Sequence, residues 1–262
     1  MMSENLREYA IFAENLADKS GSLLRQYARS AFSVAQKPDR SFVTKLDHQV
    51  EILLREQIKE HFPTHGICGE EQGIERADAE FLWVLDPIDG TSSFMAGRPT
   101  FTTLISLCWR GVPLLGVIDQ PLMRDRWSGI HSIEHNLSTT WFNHGIAKTR
   151  SCSDLSAAML ATTGPNYFSA SGLASFARIE KSVAHTLYGG DAYNYGLLSS
   201  GWLDVVVEEN LKIHDFCALA PIVAGAGGFI SDWQGQNLNI HSDGKIIALG
   251  DRNLAKPVCE LL

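Results

Sequence analysis

Residues 83–94 read WVLDPIDGTSSF, and this stretch places two aspartates at the end of an apolar segment. The apolar segment begins at Phe81, and Asp86 and Asp89 follow it with only a proline and an isoleucine between them. Two carboxylates that lie close together repel each other unless a positive partner lies between them. We therefore expect a cation at the end of this buried strand.

The same segment predicts a tight turn followed by a helix. Pro87 fixes its own φ and blocks helix continuation, so Asp86 and Asp89 are expected on a turn whose side chains converge. Residues 90–94 can open a helix, and its first backbone N–H groups suit a phosphate oxygen. For this motif alone, the more ordinary explanation is that one of the aspartates caps that helix.

The composition is that of a globular protein, with 45% hydrophobic and 20% charged residues in a chain of 262. A formal net charge of −8 argues against a sequence-independent nucleic-acid binder, which needs a basic face. Bound cations can reverse the local sign, so an anionic substrate is compatible with this charge. No apolar run is long enough for a membrane span, and the first residues do not resemble a signal peptide. Five scattered cysteines predict reduced thiols, and we expect a cytoplasmic protein without nucleic-acid or membrane partners.

The hydrophobic pattern predicts two closely packed α/β halves, residues 1–145 and 146–262. In the first half it predicts helices at 4–29 (loosened near Ser20 and Gly21) and 46–58, a loop at 37–40, and four strands of one sheet at 81–86, 102–109, 114–119 and 126–130. In the second half it predicts strands at 159–163, 203–209 and near Phe229 and Ile246, and helices at 172–180, 191–200 and 215–226.

Two further acidic sites lie outside the opening segment. Glu70 and Glu71 occupy a glycine-bounded loop just before the first strand, where a solvated charged loop is the ordinary outcome. Asp215 precedes an apolar helical run and is well placed as its N-cap, and His214 is expected to be a packing neighbour rather than a ligand. Carboxylates near phosphate-binding amides, without a Cys or His cluster, suit hard divalent ions such as magnesium.

In order and spacing, these motifs resemble the inositol monophosphatase-like family of magnesium-dependent, lithium-sensitive phosphatases. The segments that carry the resemblance are FVTKLDHQVE (42–51), GEE (69–71), WVLDPIDGTSSF (83–94) and HDFCALAPIVAGAGG (214–228). The resemblance covers nearly the whole chain. It implies an α+β or α/β fold, the layered α-β-α-β-α sandwich of the inositol monophosphatase and fructose-1,6-bisphosphatase type, and a homodimer that acts on a small phosphorylated substrate.

The resemblance also implies a role for each acidic residue. The ligands for two or three magnesium ions would be Glu70, Asp86, the carbonyl of Ile88, Asp89 and Asp215. Asp47 and Thr91 correspond to the pair that orients and activates the attacking water. The resemblance implies that Glu70 is a catalytic residue as well. The phosphate would be held by the backbone N–H groups of Gly90 and Thr91, with Ser92 beside them. Without the resemblance Asp47 is a weak signal, because T-x-x-D before a helix is an ordinary cap.

Two segments differ from the inositol phosphatases and resemble the histidinol-phosphate phosphatase branch of the family, which acts in histidine biosynthesis. They are G-G-D-x-Y-x-Y at 189–195 and A-L-x-P-I-V at 218–223, where Pro221 should kink the predicted helix. Asp191 could bind a cationic substrate, with Glu208 or Glu209 as a second acid. Glu208 also matches a substrate-binding glutamate of the inositol enzymes, and Asp191 could instead cap the helix that follows it.

These observations predict a magnesium-dependent phosphomonoesterase of the histidinol-phosphatase type, with a metal-activated water for in-line attack. The alternatives are an inositol-1-monophosphatase or broad sugar-phosphate phosphatase and, more distantly, a non-catalytic interaction protein of the same fold. A pure binding protein has no need of the complete acidic set, which favours the enzyme. Hydrolysis of a phosphate monoester requires barrier lowering on the order of 20 kcal/mol, which two metals and in-line positioning can supply.

Overall fold

The computed structural model describes residues 2–30, 34–36 and 42–262, so the loop predicted at 37–40 lies outside the described residues. The helices are α1 (Met2–Tyr27), α2 (Lys45–His61), α3 (Thr91–Met95), α4 (Ala170–Glu180), α5 (Tyr193–Ser199), α6 (Ile213–Phe216), α7 (Leu219–Gly225) and α8 (Ala255–Cys259). The strands are β1 (Val34–Gln36), β2 (Phe42–Thr44), β3 (Gly66–Gly69), β4 (Gly73–Glu75), β5 (Phe81–Asp89), β6 (Thr102–Trp109), β7 (Val112–Gln120), β8 (Asp125–Ser132), β9 (Leu137–Phe142), β10 (Gly145–Ile146), β11 (Met159–Thr162), β12 (His185–Tyr188), β13 (Val205–Glu208), β14 (Phe229–Asp232) and β15 (Ile246–Leu249).

The first large sheet has eight strands within the described residues, in the order β10-β9-β8-β7-β6-β5-β3-β4. Neighbouring strands are antiparallel except β3 and β5, which run parallel. The four strands predicted between residues 81 and 130 lie side by side in this sheet, which confirms their prediction. The sequence pattern missed β3, β4, β9 and β10, because these strands are short or largely polar and carry little hydrophobic periodicity.

The second large sheet has five strands in the described part of the chain, in the order β12-β11-β13-β15-β14. Strand β11 is parallel to β12 and β13, whereas β15 is antiparallel to β13 and β14. The predicted strands near 159, 205, 229 and 246 are all present, and only the exposed edge strand β12 was missed. The first sheet ends at β10, and the division of the chain into halves at residues 145 and 146 stays a prediction.

Side chains on β5 alternate between two hydrophobic cores. Trp83 and Leu85 enter the core under α1 and α2, and Leu82 and Val84 enter the core that the first sheet shares with α5, α6, α7 and the second sheet. Helices α4 and α8 cover the far face of the second sheet. Because both faces of β5 are covered, its residues can be apolar without alternation. The fold is thus a five-layer α-β-α-β-α sandwich, as predicted.

Helix α1 runs through Gly21 without interruption, so the loosening predicted there was wrong. A Cβ at Gly21 would lie 2.9 Å from Oδ2 of Asp119 on β7, so this glycine serves close packing. The charge of Asp119 is met by Arg126, whose Nε donates to Oδ1 at 2.7 Å and whose guanidinium also pairs with Asp18 of α1 at 2.8 Å. This ion-pair chain fastens α1 to the sheet.

The helix predicted at 215–226 is divided into α6 and α7. Pro221 lies in the first turn of α7, where a missing N–H costs little. In one continuous helix the carbonyl of Cys217 would accept a hydrogen bond from residue 221, which has no N–H to donate. The Ser106 hydroxyl donates to this carbonyl instead, at 3.0 Å. The proline therefore interrupts the helical hydrogen bonds where the sequence predicts a kink, while Cys217 and Ala218 between the two helices keep helical φ and ψ angles. Helix α6 is left as a single turn that carries Asp215.

No helix among the described residues combines the length and apolar character of a membrane span. The cysteines are free, as predicted, and Cys68, Cys108 and Cys217 are buried.

His65 is held neutral inside an aromatic cluster. Its ring contacts Tyr9, Phe62 and Phe81 and is 7% exposed. Trp83 Nε1 donates to His65 Nδ1 at 3.1 Å, so this nitrogen must be unprotonated. Burial, followed by the charge of Arg76, lowers the pKa of His65 from 6.5 to about 4.

The depressed pKa of His65 predicts a loss of stability at mildly acidic pH. Because the unfolded chain binds the proton more tightly, stability is complete above pH 6.5 and falls as the pH drops towards 4. We expect His65 to account for a decrease of about 1–2 kcal/mol in the free energy of unfolding between pH 7 and pH 5. Urea unfolding of the wild type and a His65→Gln variant at both pH values measures it. Equal pH dependence in the two proteins would show that His65 is not the titrating group.

Candidate metal centre

Strand β5 does not end at Asp86 but continues through Pro87 to Asp89, so the predicted tight turn was wrong. Asp86 pairs with Leu104 of β6 and Asp89 with Thr102, which leaves one extra residue on β5. In a regular strand, residues three positions apart face opposite sides of the sheet. The bulge cancels this alternation, and it places both carboxylates on the same side.

Three aspartates converge at the end of β5. Asp86, Asp89 and Asp215 each offer a carboxylate oxygen within 4.8 Å of the others, and among the described residues no other group of His, Cys, Asp or Glu side chains is arranged in this way. Asp86 is only 2% exposed. Asp215 is the third residue of α6 and not its N-cap as predicted, and its Oδ2 accepts a hydrogen bond from the Lys212 N–H at 2.6 Å.

Glu70 joins this group from the neighbouring strand. It follows β3, which runs parallel to β5, and its N–H donates to the Leu85 carbonyl at 3.2 Å. Its side chain shares a hydrogen bond with Asp86. The ordinary outcome for the Glu70–Glu71 pair was a solvated charged loop. Glu70 instead belongs to the acidic cluster.

The pKa values of the three aspartates are raised, and this indicates the kind of ligand that fits. Burial raises the pKa of Asp86 well above its usual value, and the charges of Glu70, Asp89 and Asp215 raise it further. Burial also raises the pKa of Asp89 and of Asp215. A divalent cation among the carboxylates would remove this repulsion, and oxygen donors of this kind suit a hard cation.

Helix α3 begins directly after Gly90, as the sequence predicted. Gly90 has φ 74°, and a Cβ there would lie 2.7 Å from Oδ2 of Asp191. The Ser93 hydroxyl of α3 donates to the same oxygen at 3.1 Å. Asp191 therefore stands against the first turn of α3, where the sequence predicts phosphate binding.

Thr91 and Asp47 approach β5 from two different helices. The Thr91 hydroxyl donates to the carbonyl of Ile88 at 3.1 Å. Asp47 is completely buried in the first turn of α2, which packs against β5. Ser92 is exposed on α3. The predicted water-activating and phosphate-binding residues thus lie on elements next to the acidic cluster.

Asp191 does not cap α5, which removes that alternative. The N-cap of α5 is Ala192, and no described side chain caps this helix. The Ala192 N–H donates to Asp89 Oδ2 at 2.8 Å, so the start of α5 is tied directly to the acidic cluster. Burial raises the pKa of Asp191, and the hydrogen bond from the Ser93 hydroxyl partly offsets this increase.

The two candidate glutamates at the end of β13 have different surroundings. Glu208 is 1% exposed and accepts hydrogen bonds from the Thr163 N–H at 2.7 Å and the Thr163 hydroxyl at 2.9 Å. Burial, with a contribution from Asp191, raises the pKa of Glu208 to about 7. Glu209 instead accepts from the N–H and hydroxyl of Ser169 at the start of α4. Glu208 therefore lies within reach of the charge of Asp191, whereas Glu209 binds the start of α4.

Tyr195 lies near the acidic cluster, although the sequence pattern assigned it no role. Its side chain is 1% exposed, and its hydroxyl has no hydrogen-bond partner among the described residues. Burial raises its pKa well above the usual value, and the charges of Glu208, Asp89 and Asp215 raise it further. No local signal in the sequence marked this environment, because the charges that surround its hydroxyl come from residues distant in the chain.

His214 agrees with its prediction as a neighbour. It is largely buried, and its Nε2 lies 3.5 Å from Oδ1 of Asp215.

Comparison with known proteins agrees with this geometry. The model of the inositol monophosphatase family matches residues 5–262. The chloroplastic bifunctional phosphatase IMPL2 of Arabidopsis thaliana is 40% identical over 98% of this chain and 75% of its own length. A histidinol-phosphatase of Chlorobaculum parvum is 30% identical over 90% of both proteins. The structure of an inositol monophosphatase from Zymomonas mobilis is 44% identical, with a TM-score of 0.88 over 97% of each chain. The chain therefore belongs to the inositol monophosphatase family, whose members are metal-dependent phosphatases of small phosphorylated substrates.

Proposed function

We propose that this protein is a magnesium-dependent phosphatase whose substrate carries a positively charged group beside its phosphate ester, as histidinol phosphate does. The observation that carries the proposal is the position of Asp191. Its carboxylate lies against Gly90 and accepts a hydrogen bond from the Ser93 hydroxyl at 3.1 Å. A carboxylate here favours a cationic substrate over a neutral polyol. The 30% sequence identity to the histidinol-phosphatase of Chlorobaculum parvum supports the same substrate class.

The acidic cluster would hold the metal. Its ligands would be the carboxylates of Glu70, Asp86, Asp89 and Asp215 and the carbonyl of Ile88, for two or three magnesium ions. When bound, magnesium would supply positive charge for the phosphoryl oxygens and would make a bound water more acidic.

The remaining catalytic work would fall to α2 and α3. The backbone N–H groups of Gly90 and Thr91, with Ser92 beside them, would bind phosphate oxygens at the positive end of α3. The Thr91 hydroxyl donates its own proton to Ile88, so its oxygen is left to accept a hydrogen bond from the attacking water. The carboxylate of Asp47 would take the proton that this water releases.

The substrate's organic part would lie between α5 and β13. Asp191 and Glu208 would face its cationic groups, and charge-assisted hydrogen bonds to carboxylates are about twice as strong as neutral ones. Tyr167 lies near the same acids, and its pKa is raised by burial and then by the charges of Asp191 and Glu208. An aromatic ring beside carboxylates adds a second attraction for a cation.

Inositol phosphate is the second candidate, because the inositol monophosphatase of Zymomonas mobilis is 44% identical to this chain. In that case Glu208 would accept a hydrogen bond from a substrate hydroxyl, and Asp191 would contribute no charge selectivity. Phosphate release from L-histidinol phosphate and from inositol 1-phosphate, each with magnesium and with EDTA, distinguishes the two. We expect kcat/KM for histidinol phosphate to be at least about tenfold higher and to be lost in EDTA. A preference for inositol 1-phosphate would overturn the proposed substrate.

Asp191→Asn should reduce the selectivity for a cationic substrate. Asparagine keeps an oxygen for the Ser93 hydroxyl but removes the negative charge. We expect KM for histidinol phosphate to rise by about 10- to 100-fold, the usual effect of losing a hydrogen bond to a charged group, and KM for inositol 1-phosphate to change by less than about threefold. The matched control is Glu134→Gln, which removes one charge from an exposed loop and should change neither value. Equal increases for both substrates would contradict the charge-selective role of Asp191.

A further inference from the structure

A buried ion pair on α2 encloses the turn that carries Glu70. Glu51 is 0% exposed and Arg55 is 2% exposed, and Arg55 Nε donates to Glu51 Oε1 at 2.7 Å. The two residues are one helical turn apart, and Glu51 in turn lies one helical turn after Asp47. The face of α2 that presents Asp47 therefore also presents this pair to the turn between β3 and β4.

Glu51 binds the turn through its backbone N–H groups. Its Oε2 accepts from the Glu71 N–H at 2.7 Å, and its Oε1 accepts from the Gln72 N–H at 3.0 Å. A Cβ at Gly69 would lie 2.2 Å from Oε1, so only glycine at this position lets the carboxylate approach the backbone. The two residues that follow Glu70 are thus held by one carboxylate, which also lies close to the backbone of Gly69.

Arg55 holds the other end of the same turn. Its guanidinium donates to the Gly73 carbonyl and, at 3.1 Å, to Glu75 Oε1. It also neutralises the charge of Glu51, so the pair adds no net charge beside the acidic cluster. The 70–73 turn is consequently hydrogen-bonded to α2 by both residues of the pair. Glu51 binds the N–H groups of residues 71 and 72, and Arg55 binds the Gly73 carbonyl.

Stability alone does not explain such a pair. Removing two charges from water is costly, and well-packed apolar residues of similar volume often serve stability equally well. Apolar residues could not, however, accept hydrogen bonds from the N–H groups of Glu71 and Gln72. What the ion pair provides specifically is a fixed position of Glu70 relative to β5. The Glu70 N–H already donates to the carbonyl of Leu85, the neighbour of Asp86.

We propose that Glu51 is a positioning residue of the metal centre, which acts through the 70–73 turn to fix Glu70 relative to Asp47 on the same helix. The proposal rests on the proposed function, in which Glu70 is a metal ligand and Asp47 activates the water. Partners that orient a metal ligand commonly change metal affinity by about 10- to 100-fold when they are mutated. Glu51 should therefore control magnesium affinity without touching the metal.

The test is Glu51→Gln, which preserves the size of the side chain. Its amide NH₂ must face either a backbone N–H of the turn or the Arg55 guanidinium, so one donor meets another donor. Calorimetric titration of the metal-stripped full chain with MgCl₂, without substrate, should give a dissociation constant at least about tenfold higher than that of the wild type. The magnesium concentration for half-maximal phosphatase activity should rise in parallel, and kcat at saturating magnesium should largely recover.

A second variant keeps the charges and changes only the geometry. Gly69→Ala would push a methyl group against the Glu51 carboxylate, and it should weaken magnesium binding in the same direction even if Glu51→Gln fails to fold. The matched control is Glu75→Gln. Glu75 also binds Arg55 but is half-exposed, and in the described part of the chain its side chain accepts no hydrogen bond from the N–H groups of the turn, so magnesium affinity should stay unchanged.

The outcomes separate this inference from the proposed function. If the wild type itself binds no magnesium, the metal-dependent function fails. If the wild type binds magnesium and Glu51→Gln or Gly69→Ala binds it equally well, the positioning role of Glu51 is refuted. A lower melting temperature with unchanged magnesium affinity would likewise show that the pair has only a structural role.

Discussion

Asp89→Asn is expected to lower kcat by about a thousandfold and to leave the protein folded. A thousandfold loss equals about 4 kcal/mol of transition-state stabilisation, the order expected when a metal site of a phosphatase is disrupted. Asparagine has the same size, and its oxygen can still accept from the Ala192 N–H and the Thr102 hydroxyl, which are the present partners of Asp89 Oδ2. The variant therefore keeps the local packing while it removes one charge from the cluster.

The same substitution has an opposite effect on the metal-free protein. Because Asp86, Asp89 and Asp215 repel one another, removal of one charge should leave the melting temperature in EDTA unchanged or higher. The increase in melting temperature on addition of magnesium should shrink, because fewer ligands remain to bind it. Asp232→Asn is the control, since Asp232 also accepts two backbone N–H groups but does so in a turn after β14. Wild-type turnover in Asp89→Asn would rule out the proposed metal centre.

Gly116→Ala is expected to reduce stability by about 3 kcal/mol, the upper range for overpacking a core. Gly116 lies on β7, directly under the break between α6 and α7, and a Cβ there would lie 2.0 Å from the backbone oxygen of Ala218. A backbone atom cannot move aside as the end of a side chain can. Since Asp215 lies three residues before Ala218, the displacement should also reduce phosphatase activity more than the loss of folded protein explains.

Urea unfolding and specific activity measured on the soluble, folded fraction test the prediction for Gly116. Gly145→Ala is the matched control, because Gly145 also lies on a strand of the first sheet and the nearest atom to its Cβ would be 3.9 Å away. We expect this control to change stability by less than about 0.5 kcal/mol. A Gly116→Ala variant as stable as the control would show that α7 can shift away from the sheet without cost.

Much of the fold could be predicted from the sequence because its signals are local. The apolar run of β5, the helical spacing of α1 and α2 and the glycine before α3 each depend on residues a few positions apart. The strands missed by the pattern, such as β12 and β9, have exposed or polar side chains and are identified only by the partner strand with which they pair.

The site was predicted unevenly for a similar reason. Glu70, Asp86, Asp89 and Asp215 could be chosen because each stands in a recognisable motif, with Asp86 and Asp89 in the same one. Tyr195 could not, because its significance lies in the charges that surround it after folding. Glu51 and Arg55 have the i,i+4 spacing of an ordinary ion pair on a helix, and only the structure shows the turn that the pair holds.

By itself, the sequence determined the phosphatase family and the layered arrangement of helices and strands, and it supplied the candidate site residues. The tertiary structure alone decided how the carboxylates converge: a bulge in β5 turns Asp86 and Asp89 to one side, and a helix break before Pro221 presents Asp215 to them. It also brought Asp191 to Ser93, which lies 98 positions earlier in the chain. The physical reason is that local patterns depend on backbone preferences and burial within a few residues. The distances between distant carboxylates depend on how whole layers pack together.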